Sequence, residues 1–200
     1  MARGVARDHD EKRAAIRKGA AAYFAAHGFD RASMSGAAKA CGVSKALIYH
    51  YHDSKEALLF DILEAHLSTL VAEVEDAAAA HVGDAPEARL RALIRAILLA
   101  YRDADAEHKL QLDALGTLPA ERQAPLIALQ RRLVTVMSGA LAAMRPELDG
   151  SERLWPVTMT VFGMVNWFYT WHRPGRGISR EDYADLVTDM VLGGIGAVTV

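Results

Sequence analysis

The most constraining feature of the sequence is the stretch 33–55, in which two short helices are joined by a tight turn. Ala38, Gly42 and Ile48 have the spacing of a helix-turn-helix. A small residue stands where the first helix approaches the second, and a glycine stands where the turn requires a positive φ. A β-branched residue then points back into the core. The stretch therefore predicts a helical DNA-binding module near the N-terminus.

The second of these helices, Ser44 to about Tyr51, carries the side chains expected of a helix that lies in a DNA major groove. Lys45, Tyr49 and His50 fall on its outer side, together with Tyr51. The charge distribution supports this interpretation. Residues 1–55 hold ten Lys/Arg and five Asp/Glu, a net charge of +5, whereas the rest of the chain has a net charge of −7. Basic charge concentrated in one module is typical of nucleic-acid binding.

Composition narrows the class of protein. The chain has 200 residues, of which 52% are hydrophobic, so a sizeable core is available. Its single cysteine, Cys41, excludes an internal disulfide and a cysteine-based zinc cluster. The first residues are polar and lack the apolar core of a signal peptide, so we expect a cytoplasmic, nucleoid-associated protein.

The uncharged stretch 154–171 has eighteen residues, which is the lower limit for a transmembrane helix. Asn166, three threonines and Pro156 weaken that interpretation. We predict a helix that is buried on nearly all sides and no membrane span.

Apolar residues recur at helical spacing along almost the whole chain, and no segment has the alternation of a strand. The pattern predicts an all-α fold of about nine helices. The fourth helix is expected to begin near Ser54 and to continue to about Ala80. We predict a DNA-binding domain at 1–54 and a ligand-binding and dimerisation domain at 55–200.

The N-terminal pattern resembles the TetR family of bacterial transcriptional regulators. Phe24, Gly28 and Phe29 match the end of the first helix, and Gly42–Lys45, Tyr49–Tyr51 and Ser54–Glu56 are close to the family signature. The resemblance covers about residues 10–63.

The resemblance also implies roles for individual residues. Base edges would be approached by Lys45, Ala46 and Leu47, while phosphates would be met from the starts of helices and from the outer face. The DNA-binding residues that we expect are Ser33, Ser35, Ser44, Lys45, Ala46, Leu47, Tyr49, His50, Tyr51 and Lys55. A module of this size binds as a pair, with two outer helices about one DNA turn apart.

Three positions depart from the family pattern. His52 stands where the family usually has a phenylalanine that packs into the module, and Gly36 and Ala37 stand where larger residues are common. These departures predict a loose or reshaped core and leave open whether Tyr51 points outward or inward. No acidic or thiol partner clusters with the pair His50 and His52, and adjacent turns of one short helix would aim the two rings apart, so we predict no metal site.

Members of this family dimerise through their last two helices and enclose a ligand pocket in the C-terminal body. The dimer-interface residues expected from the resemblance are Val161, Val165, Phe168, Trp171, Val187, Val191 and Gly194. The candidate ligand-binding residues are Leu98, Tyr101, Met137, Met159, Phe162, Asn166 and Tyr169. Each of these fits either a core position or a pocket wall, and the amide of Asn166 needs a polar partner in either case.

The segment FGMVNWFYTWHRPGRGIS is similar to the end of family members that respond to acyl-CoA thioesters. Arg102, Arg131 or Arg132 could meet the nucleotide phosphates of such a ligand. The sequence has no Gly-rich phosphate loop, no metal-ligand set and no nucleophile with a base, so we predict neither an enzyme, nor catalytic residues, nor a cofactor.

The predicted function is a ligand-responsive repressor. It would bind a palindromic operator as a homodimer and would be released by a lipophilic effector, for which an acyl-CoA is one candidate. The alternative is a helical protein-interaction module without DNA binding, which would show no salt-dependent affinity for any duplex.

Overall fold

The computed structural model describes residues 2–173 and 175–200, with side chains from residue 9 onward, and it is helical throughout. Neither described range contains a strand; an isolated bridge joins Arg173 to Arg176. The helices are α1 (Ala2–His27), α2 (Met34–Ala40), α3 (Lys45–Tyr51), α4 (Lys55–Ala80), α5 (Pro86–Ala100), α6 (Asp105–Asp113), α7 (Ala120–Met144), α8 (Leu154–Asn166), α9 (Phe168–Trp171) and α10 (Arg180–Ile195). The all-α prediction is confirmed, and the helices number nine when α8 and the one-turn α9, separated by Trp167 alone, are taken together.

The chain forms two compact units. The first comprises Met1–Leu67 and Asp103–Ile127, and the second comprises Ser68–Arg102 and Ala128–Val200. Since α4 and α7 each pass from one unit to the other, this grouping by contacts does not follow the division at 54/55. That functional division stays a prediction.

Short-range sequence signals begin and end the helices of the first unit. The Ser33 hydroxyl accepts from the Gly36 N–H and starts α2, and the Ser44 hydroxyl accepts from the Leu47 N–H and starts α3, both at 3.1 Å. Gly28 ends α1 with φ +78°, and Gly42 makes the turn with φ +66°. The helix-turn-helix is therefore built as its spacing predicts.

The core of the first unit is apolar and continuous across its helices. Its fully buried members from α1 to α4 are Ile16, Ala20, Ala21, Phe24, Ala37, Ile48, Leu58, Leu59, Ile62, Leu63 and Leu67. This packing holds α2 and α3 on α1 and α4, so the outer side of α3 remains on the surface.

In the second unit, α5 packs along α10. The side of α5 formed by Leu90, Leu93, Ile94, Ile97 and Leu98 is buried. Arg91 adds ion pairs to Asp185 at 3.0 Å and to Asp189 at 2.6 Å. These apolar and charged contacts bring α10 onto α5 along its length.

Trp167 interrupts the uncharged stretch, so α8 has 13 residues and is too short to cross a bilayer. Among the described helices, α7 alone is long and apolar enough to do so by length and composition. A single helix of this kind is weak evidence for a membrane span, because core helices of soluble proteins meet the same criterion.

Candidate nucleic-acid interface

The outer side of α3 presents most of the residues expected to contact DNA. Ser44, Lys45, Ala46, Tyr49 and His50 are exposed, whereas Ile48 is completely buried on the opposite side. Leu47 is half-buried, so its side chain is only partly available to a base edge.

The Lys45 ammonium lies 5.8 Å from the centre of the Tyr49 ring, one turn further along the helix. The aromatic ring thus supports a lysine positioned to donate to a base.

The start of α2 provides a second exposed polar edge. Ser33 and Ser35 are both exposed. Although the Ser33 oxygen accepts from the Gly36 N–H, its hydroxyl hydrogen can still donate. Both serines are therefore placed as a phosphate contact requires.

The Lys55 ammonium, which we predicted to contact a phosphate, contacts backbone carbonyls of its own chain. Its ammonium donates to the carbonyls of Phe29, Asp30 and Ala32 at 2.8, 3.3 and 3.2 Å, and it lies 4.4 Å from the centre of the Phe29 ring. These bonds fasten the loop between α1 and α2 to the start of α4. A phosphate contact would require at least one of them to break, so the structure gives Lys55 a structural role.

The two small residues of α2 are explained by their neighbours. A Cβ atom on Gly36 would lie 2.1 Å from the Tyr23 hydroxyl, so the Tyr23 ring fills the space that a larger residue would need. Ala37 is completely buried. Of the two predicted outcomes, a loose core or a reshaped one, the loose core is wrong at these positions, because a tyrosine of α1 supplies the missing volume.

His52 forms a buried polar link that was not predicted from the sequence. It is 4% exposed, and its Nε2 lies 2.8 Å from Oδ2 of Asp61, which is 5% exposed. The same carboxylate accepts from Arg13 Nε at 3.0 Å and from Arg13 Nη2 at 2.6 Å, with Arg17 Nη1 at 3.5 Å. Burial opposes ionisation of Asp61, but the His52 bond and the two guanidiniums prevail and lower its pKa.

Tyr51 is half-buried on the side of α3 that faces α1. Its ring lies 4.7 Å from that of His9 and 5.4 Å from that of His50. Tyr51 therefore packs at the edge of the module.

The two histidines of the His50-x-His52 pair lie apart, one exposed and one buried. The described residues contain no group of three or more His, Cys, Asp or Glu side chains able to hold a metal ion.

The candidate effector residues lie in the second unit and are mostly packed. Leu98, Tyr101 and Met137 are buried. The polar partner that Asn166 requires is Tyr101, whose hydroxyl donates to its Oδ1 at 2.9 Å. Burial raises the pKa of Tyr101, so it remains a neutral donor. Met159, Phe162 and Tyr169 are half-buried.

A buried polar cluster in the first unit was likewise not predicted from the sequence. The rings of His66 on α4 and His108 on α6 lie 6.2 Å apart, and Glu107 of α6 pairs with Lys18 of α1 at 3.1 Å. Burial, followed by the charges of His108 and Lys18, lowers the pKa of His66 to about 4. The cluster connects α1, α4 and α6. The spacing of residues along the sequence did not predict this cluster, since its three helices are far apart in sequence.

The predicted dimer interface needs correction. Val161, Val165, Phe168 and Val187 are each no more than 1% exposed, because they point into the second unit. Trp171, which was predicted at the interface, is exposed, as are the apolar side chains of Trp155, Trp167, Leu186 and Met190, which were not predicted there. A groove of about 320 Å³ lies between α8 and α10, lined by Val161, Val191 and Gly194 together with Val157, Thr160, Met164, Met190, Ile195 and Val198.

A short helix exposed on a three-helix scaffold, with basic and hydroxyl groups on its outer side, defines a helix-turn-helix DNA-binding protein. Comparison with known families agrees. Residues 16–62 match the family model described as bacterial regulatory proteins, tetR family, and residues 83–195 match the tetracyclin repressor-like C-terminal domain. The chain belongs to the TetR family of transcriptional regulators, and it is a ligand-responsive DNA-binding regulator and not an enzyme.

Solved structures are similar over almost the whole chain. A TetR-family regulator from Bordetella parapertussis is 32% identical, with a TM-score of 0.84, over 94% of this chain and 97% of that one. PfmR from Thermus thermophilus is 28% identical, with a TM-score of 0.77, over 89% and 97%. AibR, in complex with isovaleryl coenzyme A and operator DNA, is 28% identical, with a TM-score of 0.75, over 90% and 97%.

A search of curated proteins gives no match. Membership of a family of DNA-binding regulators agrees with the predicted cytoplasmic location.

Proposed function

We propose that the protein is a repressor that binds a palindromic operator as a homodimer and is released from it by an acyl-CoA or a similar lipophilic effector. The observation that carries the proposal is the outer side of α3, where Lys45, Ala46 and Tyr49 are exposed on a helix whose other side is anchored by Ile48. Ser33, Ser35, Ser44 and His50 complete the proposed contacts with phosphates, and Leu47 and Tyr51 contribute their exposed edges.

The proposed dimer places α8 and α10 of one subunit against the same helices of a second copy. Trp167 is 64% exposed and Met190 is 60% exposed, which is unusual for side chains of this size on a single chain. Cβ atoms built on Gly163, Gly193 and Gly194 would meet nothing within 4 Å. Packing within the chain therefore does not require these glycines, whereas close approach of a second helix would.

The proposed effector is argued from the second unit and from a relative. Leu98, Met137, Met159 and Phe162 supply apolar surface suited to an acyl chain, and the pair Tyr101–Asn166 supplies polar atoms within it. AibR, which was crystallised with isovaleryl coenzyme A, supports the thioester class. Arg102 and Arg132 pair with Glu181 and Glu75, so Arg131, which is exposed, is the arginine that we assign to a nucleotide phosphate.

The proposed mechanism uses the continuity of α4, which begins at Lys55 beside the DNA-binding helices and ends at Ala80 in the second unit. An effector that favours one position of this helix would change the separation of the two α3 helices in a dimer. It can release DNA only to the extent that it binds the released state more tightly than the DNA-bound state.

The decisive experiment selects a duplex from a randomised pool with the purified protein and measures its affinity at several salt concentrations. We expect a palindromic site whose affinity falls steeply as salt rises. No binding to any duplex would leave only the interaction-module alternative, whereas equal affinity for all duplexes would contradict a palindromic operator.

A thermal-shift panel of acyl-CoAs, free fatty acids and coenzyme A then tests the effector. Stabilisation by thioesters, together with release of the selected duplex, is expected. A panel in which no thioester raises the melting temperature would exclude the acyl-CoA class.

A further inference from the structure

One carboxylate joins α1, α3 and α4. Asp61 of α4 accepts from His52 at the end of α3, and it forms a two-pronged bond with Arg13 of α1. Arg17 of α1 approaches the same carboxylate. Since α3 has only seven residues, its direction depends on the few side chains that hold it.

Two of those side chains are buried. Ile48 is the one fully buried residue within α3, and His52, directly after the helix, is the buried group at its far end. His52 also keeps the last turn closed, because its N–H donates to the Ile48 carbonyl at 3.0 Å. Ile48 alone would fix α3 at one point; a second anchor is needed to fix its angle.

The bond between His52 and Asp61 has a defined donor and acceptor. The pKa of Asp61 is lowered, so its carboxylate is ionised at neutral pH and can only accept hydrogen bonds. The Nε2 atom of His52 must therefore carry a proton. A hydrogen bond to a buried charge is stronger and more directional than apolar contact.

Packing alone does not account for a histidine here. The Nδ1 atom of His52 is buried without a hydrogen-bond partner among the described residues, which is unfavourable. A phenylalanine would fill a similar volume without that cost.

We propose that His52 and Asp61 are positioning residues for operator binding, which set the angle at which α3 presents Lys45, Ala46 and Tyr49 to the bases. The proposal rests on the operator binding proposed above. It predicts that loss of the His52–Asp61 bond weakens binding to the selected operator more than binding to an unrelated duplex, because base contacts depend on angle more strictly than attraction to phosphates does.

Two substitutions at His52 separate the hydrogen bond from the shape of the ring. His52→Gln keeps an N–H donor near the position of Nε2, whereas His52→Phe keeps a ring and removes the donor. We expect His52→Gln to bind the selected operator within about threefold of the wild type, and His52→Phe to bind it at least about tenfold more weakly. The opposite order, with His52→Phe at wild-type affinity, would show that only packing matters and would overturn the proposal.

Two controls address folding and coupling. All affinities are measured well below the melting temperature of each variant, and His27→Phe makes the same substitution at an exposed position at the end of α1. In a double-mutant cycle, the loss of operator affinity in His52→Phe/Asp61→Asn should be smaller than the product of the two single losses, since both substitutions break the His52–Asp61 bond and only Asp61→Asn also weakens the pair with Arg13. Independent, multiplicative losses would contradict the proposed coupling.

Hydrogen exchange of the α3 amides in the free protein tests the link without DNA. We expect faster exchange in His52→Phe than in His52→Gln. Equal exchange in these two variants would count against the inference, whereas failure of the wild type to select any duplex would count against the proposed function.

Discussion

At the scale of single residues, the two lysines of the DNA-binding module have different roles although both were expected to contact DNA. Lys45 is exposed on α3 and supported by the Tyr49 ring, whereas Lys55 donates to three loop carbonyls. We predict that Lys55→Met lowers the free energy of unfolding by about 1–3 kcal/mol, because charged hydrogen bonds to three carbonyls are lost. Chemical denaturation measures this change.

Lys45→Met is the matched control for that prediction. It should leave the free energy of unfolding within about 0.5 kcal/mol of the wild type but reduce discrimination between operator and unrelated duplex by about tenfold. The salt dependence of binding separates the interpretations of Lys55. If Lys55→Met lowered the slope of log affinity against log salt concentration by about one and left the free energy of unfolding unchanged, Lys55 would be a phosphate contact, as first predicted.

At the scale of helices, the polar cluster between α4 and α6 makes stability depend on pH. Because the pKa of His66 is about 4 in the folded protein and about 6.5 in the unfolded chain, the unfolded chain takes up a proton first as the pH falls. Stability from His66 is thus complete above about pH 6.5 and is lost towards pH 4, by up to about 3 kcal/mol.

We expect His66→Gln to flatten the decrease in unfolding free energy between pH 6.5 and pH 4, whereas His50→Gln, at an exposed position, should leave it unchanged. Urea denaturation at a series of pH values measures the slope. An unchanged slope in His66→Gln would show that His66 is not the group that titrates. Asp61 affects stability at lower pH than His66 does. Because its pKa is lowered in the folded protein, its contribution to the free energy of unfolding is lost only as the pH falls below about 4.

At the scale of the whole molecule, the proposed dimer predicts that one charge can separate the subunits. Met190→Asp places a carboxylate on the exposed apolar side of α10, where it costs little in a single chain but would be buried in a dimer. We expect light scattering to give a wild-type mass of roughly twice 21.7 kDa. The dimer of the variant should dissociate at a concentration at least about tenfold higher than that at which the wild-type dimer dissociates.

Leu112→Asp makes the same change at an exposed apolar residue of α6 and should leave the dimer intact. If Met190→Asp remained dimeric, or Leu112→Asp alone dissociated, the α8–α10 face would not be the interface.

The helices were predictable because their signals are local. Ser33, Ser44 and Ser179 start helices through bonds to an N–H three residues away, and Gly28 and Gly42 adopt the positive φ that their positions require. The start of α1 is an exception. Asp8, with Glu11 three residues on, has the spacing of a capping box and predicts a helix start there, but the helix begins at Ala2, so Asp8 lies inside it.

The side of a helix that faces inward was predictable only where apolar residues on one side contrast with charged or polar residues on the other. Leu90, Leu93 and Ile97 of α5 recur at helical spacing between arginines, which predicts that they face inward, and all three are buried. The stretch around Val165 and Phe168 is apolar on every side, so spacing could not show which side chains point inward. Val161, Val165 and Phe168, predicted at the dimer interface, are buried within the chain.

By itself the sequence determined the all-α fold, the helix-turn-helix, the exposed side of α3 and the family, because caps, turns and periodicity act over a few residues. Only the tertiary structure decided that Asp61 bonds to both His52 and Arg13, that Lys55 holds a loop, and that His66 lies beside His108. These partners stand apart in sequence, and a buried polar group takes whichever complementary group the packed helices bring within hydrogen-bond distance.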